Sequence, residues 1–198
     1  FRHGIFNART IAPLAAAVPA GTLRAADSQV ASRWGNITDF KGFDLITPNE
    51  REARFALADQ DSGVRPLASK LREQAMARHI LLKMGARGVL CCSEIEGVDS
   101  GESEQVLTVD SFARHIVDPV GAGDALLAYA SLILAQHPGD PRQAAAAMIA
   151  GCIAAGIECE YDGNMPVAPS AVLARLEAAH SAGVLDADEF GRRSHRAV

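Results

Sequence analysis

The chain has 198 residues, 48% of them hydrophobic and 22% charged, with a formal net charge of −5. This suits a single soluble domain with a sizeable core, and it argues against a broad nucleic-acid surface. No apolar run reaches the roughly 20 residues that span a bilayer, and no secretory signal stands at the start.

The first residues, Phe1-Arg2-His3-Gly4, read as the end of a strand and its loop, so the chain is expected to lack its beginning. A helix is predicted over Thr10–Val18, stopped by Pro19-Ala20-Gly21. Leu23–Ala26 reads as a strand that delivers Asp27, Ser28 and Gln29 to its carboxyl end. A polar loop at 35–42 leads to a second strand, Phe43–Ile46. Thr47-Pro48-Asn49-Glu50 starts a helix that runs to about Leu57, with Thr47 and Glu50 fitting a capping box and Pro48 its first helical position. A loop (Gln60–Arg65), an amphipathic helix (Pro66–Arg78), a strand (His79–Lys83), a turn (Met84–Gly88) and a strand (Val89–Cys92) follow. The acidic, Gly/Ser-rich Glu94–Glu104 reads as a hairpin tip before a strand at Gln105–Val109. Phe112–Val117 is a strand or the approach to one. Helices are predicted at Gly121–Gln136, Pro141–Glu158 and Pro169–Ala179, and residues 183–198 read as a charged, mobile tail. Alternating strands and helices predict an α/β fold with a mainly parallel sheet covered on both faces.

Cys91, Cys92, Cys152 and Cys159 form no C-x-x-C pair. They read as buried reduced thiols, Cys91 and Cys92 on opposite faces of a strand, and a cytoplasmic location follows.

The chemistry concentrates in Asp118-Pro119-Val120-Gly121-Ala122-Gly123-Asp124. Two glycines at a loop-to-helix junction let the backbone approach a ligand. The first amides of a helix lack internal partners and carry the positive end of its dipole, so they suit a phosphate. Asp124 in that first turn is a candidate general base for a substrate hydroxyl, although an acidic residue is favoured there by the dipole alone. Asn49 and Glu52, three apart, share a helix face that suits the water shell of Mg²⁺, or a solvated surface. Lys83 and the Gly85–Gly88 turn touch a nucleotide or form a plain β-turn. His3, Gly4 and Asp27 are candidates for substrate contacts, because each follows a strand end and open α/β sheets bind ligands there. Trp34 is a core residue or a stacking platform.

Asn49-Glu50-Arg51-Glu52, Lys83-Met84-Gly85-Ala86-Arg87-Gly88 and Asp118–Asp124, in this order and spacing, resemble the C-terminal half of the ribokinase-like (PfkB) carbohydrate kinases, nearest to the heptose-phosphate kinase branch. The resemblance runs from about Ala25 to Pro169. It implies an ATP-dependent phosphoryl transfer to a sugar or sugar phosphate, with Asp124 as base and the amides of Gly121, Ala122 and Gly123 as anion hole. It places Mg²⁺ near Asn49 and Glu52, and ATP near Lys83, Gly85, Gly88, Asp118, Gly151 and Gly156. Pro119 departs from the family, which more often has Thr there. The family's N-terminal strands and β lid, which supply most sugar contacts, have no match here, so residues 1–182 are expected to be the C-terminal part of a kinase domain. An inactive nucleotide-binding module and a vitamin kinase of the related group are the alternatives, and a homodimer is compatible with any of the three.

Overall fold

A computed structural model describes residues 6–27, 37–94, 104–136 and 141–185. His3, Gly4, Ser28, Gln29, Trp34 and the tail from Asp186 lie outside them.

Five strands form one sheet in the order β1-β2-β3-β4-β5: Ala25–Ala26, Leu45–Ile46, His79–Lys83, Val89–Glu94 and Glu104–Val109. The first three are parallel, and β3, β4 and β5 pair antiparallel. The expected mainly parallel sheet is therefore mixed. The reason is local. Between β3 and β4 only Met84–Gly88 is available, too short for the crossover that parallel strands require. Met84 N–H instead donates to the Gly88 carbonyl across the turn at 2.9 Å.

The predicted strand at Leu23–Ala26 shrinks to two residues. The Asp44 carboxylate takes the Arg24 N–H at 2.8 Å, so a side chain replaces the next rung of the ladder. Phe112–Val117 forms no strand; it crosses the end of a helix, as described below.

The described residues form six α-helices, α1 (Ala8–Ala17), α2 (Glu50–Leu57), α3 (Val64–Ala75), α4 (Ala122–Gln136), α5 (Pro141–Glu158) and α6 (Pro169–Ser181), the last packed on α5. α1 starts two residues before the predicted Thr10, because Asn7 caps it reciprocally with Thr10. α3 starts at Val64 with Gly63 as its cap, and Met76 ends it in the left-handed region, two residues short of the predicted Arg78. After α6, Gly183 N–H donates to His180 O and Val184 N–H to Ala179 O, and Leu185 is buried. Packed chain thus extends past the predicted boundary at 182.

Side chains alternate across the strands. Ile46, Ile80, Leu82, Leu90 and Cys92 meet Ala53 of α2 and Leu67, Ala68, Leu71 and Ala75 of α3. Leu45, Leu81, Val89, Cys91, Leu107 and Val109 meet Leu126, Ala130 and Leu134 of α4 and Ala144, Ala147, Met148 and Cys152 of α5. Cys91 and Cys92 do fall on opposite faces, and burial pushes the Cys91 thiol up to about 11. The α4–α5 contact is close because Gly151 has no side chain; a Cβ there would stand 2.9 Å from the Leu126 carbonyl oxygen.

Gly88 is fixed by both backbone and space. Its φ is +80°, and a Cβ there would lie 2.0 Å from the Val109 carbonyl oxygen. A side chain would force β5 away from the turn. Gly88→Ala is expected to lower the unfolding free energy by at least about 2 kcal/mol, from left-handed strain plus overlap. A urea titration checks this, and an unchanged midpoint would count against the close approach.

Candidate active site

The carboxyl ends of the three parallel strands bring chemistry-bearing residues together. Asp27 follows β1 directly, Lys83 closes β3, and Asn49 bridges to Lys83 beside it, with Lys83 N–H donating to the Pro48 carbonyl at 2.8 Å. Lys83 Nζ donates to Asp27 Oδ2 at 2.6 Å, and both side chains are largely buried. A partly desolvated pair of this kind loses much if either partner is removed. Gly123 lies against it: a Cβ there would be 3.1 Å from Lys83 Nζ and 3.4 Å from Asp27 Oδ2. The lack of a side chain at Gly123 therefore lets the start of α4 sit on the ends of β1 and β3.

The loop before α4 is built from both directions. Asp118 Oδ1 accepts the Val120 N–H at 3.0 Å, which turns the chain. Pro119 has no N–H to offer. Gly121 takes φ +100°, a conformation that favours glycine. α4 begins at Ala122, one residue later than predicted. The Ala122 N–H has only a long contact of 3.4 Å to Pro119 O, and the amides of Gly121, Gly123 and Asp124 find no acceptor among the described residues. Asp124 is exposed in the first turn.

The loop is anchored on the end of α5. The N–H groups of Val117 and Asp118 both donate to the Cys159 carbonyl, at 2.7 and 3.2 Å. Gly156 admits the crossing chain, since a Cβ there would be 2.7 Å from the Ala113 nitrogen. Arg175 of α6 donates to the Phe112 carbonyl at 2.9 Å and pairs with Glu160, which also accepts the Arg114 N–H. The Arg175 hydrogen bond holds the Glu160 carboxyl down at about 2.

Asn49 and Glu52 meet each other. Asn49 Oδ1 accepts the Glu52 N–H at 2.8 Å, and Glu52 Oε2 accepts the Asn49 N–H at 2.7 Å. The capping box is thus Asn49–Glu52 and not Thr47–Glu50, because the helix starts two residues later than the Thr-Pro signal suggests. Glu50 instead pairs with Arg54 and with Arg87, which ties the β3–β4 turn to α2. Among the described residues no three His, Cys, Asp or Glu side chains gather as a metal site.

Three predicted nucleotide residues face other chain rather than open space: Gly88 against β5, Gly151 against α4, and Gly156 against Phe112-Ala113. Gly85, with φ +62° and nothing within 4 Å of its Cβ position, stands open beside Lys83. One residue at the loop was not anticipated. Glu158, the last residue of α5, is buried against Gly121. Its signal was available: it stands four residues after Ala154 and seven after Gly151, on their buried face.

The pfkB family carbohydrate kinase profile matches residues 14–169. The chain belongs to that family. The bifunctional protein HldE of Geobacter metallireducens is 29% identical over 85% of this chain and 32% of its own length. HldE of Desulfatibacillum aliphaticivorans is 34% identical over 70% of this chain and 26% of its own length. The fold is ribokinase-like. Ribokinase from Thermotoga maritima superposes with a TM-score of 0.66 at 24% identity, over 85% of this chain and 52% of that one. Ribokinase from Arabidopsis thaliana, complexed with ribose and ATP, gives 0.62 at 18% identity, over 86% and 52%. The chain therefore spans about half of these structures and a quarter to a third of the curated relatives. Among the described residues no helix is long and apolar enough to cross a membrane.

Loss of the Asn49 cap should be measurable apart from any ligand. Asn49→Ala is expected to cost about 0.5–2 kcal/mol of stability, because Glu52 N–H loses its acceptor at a helix start. Thermal melts followed by circular dichroism check this, and an unchanged melting temperature would mean that the reciprocal cap does not form in solution.

Proposed function

We propose that this pfkB-family chain carries the nucleotide and phosphoryl-transfer side of an ATP-dependent kinase acting on a hydroxyl of a sugar or sugar phosphate. The observation that carries the reading is the set of amides at Gly121, Gly123 and Asp124, without acceptors at the positive end of α4, beside an exposed carboxylate. Phosphoryl transfer asks for positioning and charge stabilisation more than for covalent chemistry. In this reading the Gly121–Gly123 amides stabilise charge on the transferred group, and Asp124 takes the proton from the attacking hydroxyl. Pro119 offers no donor, so stabilisation comes from the amides on the α4 side alone. Lys83, screened by Asp27, and the open Gly85 face the phosphates, and Asp118 shapes the loop. Gly88, Gly151 and Gly156 contribute through packing, and Asp27 acts by positioning Lys83 as well as by any sugar contact. A heptose phosphate is the proposed acceptor, from the resemblance of the three motifs to the heptose-phosphate kinase branch.

Mg²⁺ fits this donor set through water. Asn49 and Glu52 stand by Lys83 at the strand ends but are occupied with each other, so they would hold the ion's hydration shell rather than the ion itself. Bound there, the ion would neutralise phosphate charge. A homodimer and a cytoplasmic setting are part of the same proposal.

In the complete protein, Asp124→Asn is expected to keep ATP binding and lower kcat at least ~10²-fold, the usual range for loss of a general base. Steady-state turnover beside calorimetric ATP binding checks this, and near-normal turnover would remove Asp124 from the role. Glu52→Gln is expected to raise the Mg²⁺ concentration for half-maximal rate, since a charged acceptor of the water shell becomes neutral. A superimposable Mg²⁺ titration would leave Glu52 as a helix cap alone.

A further inference from the structure

Glu158 is 1% exposed, and neither carboxylate oxygen has a hydrogen-bond partner among the described residues. Burial of an ionised carboxylate without partners is expensive, and the group escapes the cost by holding a proton. Its surroundings push the same way. It is the final residue of the 18-residue helix α5, at the negative end of the dipole. From the loop it faces Asp118, and from α4 Asp124; from the chain after α5 it faces the Asn164 amide, the Met165 N–H and the Cys159 thiol. Lys83, which lies next to Gly123 of the same loop, is paired with Asp27. Burial, then Asp118, raise the Glu158 pKa, with Asp124 adding to it. The Met165 N–H pulls the other way without reaching hydrogen-bond geometry.

The position matters as much as the burial. The point where a Gly121 Cβ would stand lies 2.5 Å from Glu158 Oε1 and 2.6 Å from Asn164 Oδ1. Two acceptor oxygens thus converge behind the first glycine of the anion loop. Ionised, Glu158 would set negative charge against Asn164 Oδ1 and directly behind the amides that receive a phosphate. Protonated, it supplies a donor between two acceptors and removes the charge.

We propose that Glu158 is a proton-linked positioning residue for the anion loop: it holds its proton more tightly when Gly121–Asp124 holds a phosphate, so that nucleotide binding takes up a proton from solvent at any pH where the group is partly ionised beforehand. This rests on the reading of that loop as the phosphate site. The balance is simple. One proton passes from buffer to one Glu158 carboxylate oxygen, and the added phosphate charge favours the uptake. The sign follows for stability as well. The native group binds its proton more tightly than the unfolded one, so this contribution is complete below the unfolded pKa and is lost as pH rises through the folded pKa.

The test is calorimetric titration of ATP into the wild-type protein and Glu158→Gln, from mildly acidic to mildly alkaline pH, in buffers of different ionisation enthalpy. The wild type is expected to take up as much as one proton more per ATP than the variant. Its affinity should fall by up to about tenfold per pH unit, the limit for one linked proton. The Gln variant should bind with a flatter pH dependence, its residual slope being the nucleotide's own titration. Equal proton counts with ATP binding intact would overturn the role of Glu158 and leave the kinase reading standing. Absence of ATP binding in wild type at every pH would overturn both. If Glu158→Gln does not fold, infrared difference spectra of the wild type decide: ATP should increase the band of a protonated buried carboxyl, and no such change would refute the linkage.

Discussion

The carboxyl end of α5 is the point from which the site is hung. The last carbonyls of a helix have no internal donors and must find partners. Here the Cys159 carbonyl takes two, the N–H groups of Val117 and Asp118. That contact fixes where the loop leaves α5, and so where Gly121 turns and α4 begins. It depends on Gly156, because any side chain there would collide with the Phe112-Ala113 backbone. It is reinforced by Arg175, which holds both the Phe112 carbonyl and Glu160. Remove this anchorage and the acceptor-free amides of α4 still exist, but the loop before them loses its tie to α5.

The second constraint is steric, at the other side of the loop. Gly123 presses the first turn of α4 on the Lys83–Asp27 pair, which closes the ends of β3 and β1. Two glycines with different neighbours therefore set one loop: Gly121 against Glu158 and Asn164, Gly123 against Lys83 and Asp27. The charges are arranged unevenly. Lys83 is partnered, whereas Glu158 is buried without a hydrogen bond. Elsewhere in the fold buried polar groups are generally satisfied, as at the Asn49–Glu52 cap and the Ser69–Glu104–Arg72 cluster joining α3 to β5. Among the described residues Thr47 Oγ1, Ser131 Oγ and both Glu158 carboxylate oxygens are buried without a partner, and of these only Glu158 is an acid; it falls beside the loop with the richest chemistry, where unmet hydrogen bonds tend to serve function.

What was legible in the sequence follows from short-range rules. The short apolar runs at His79–Lys83 and Val89–Cys92, the Gly-bounded turn between them and the longer apolar runs of α4 and α5 are all local pattern and turn signals, and they place the elements within a few residues. The Gly-Ala-Gly-Asp loop could be read as a phosphate site because its mechanism, free amides at a helix start, is itself local. The helix start at Asn49 was misjudged because Thr47 and Asn49 are both good caps with an acid three residues on. Thr47 N–H is held by the Ala26 carbonyl of β1, which keeps that residue in the extended chain. Only the sheet could decide between them.

Composition, periodicity and three motifs by themselves determined a layered α/β domain, its helices and strands, and a loop suited to phosphate with an aspartate beside it. They also carried the resemblance that the family match upholds. Tertiary structure alone decided that the sheet is mixed, that Asp27 pairs with Lys83 across 56 positions of sequence, and that other chain comes close to Gly88, Gly151 and Gly156. It alone brought Glu158 behind Gly121. The physical reason is range. A cap or a turn is settled by atoms within four residues, whereas desolvation, ion pairing and steric exclusion depend on which distant segments the fold brings into contact.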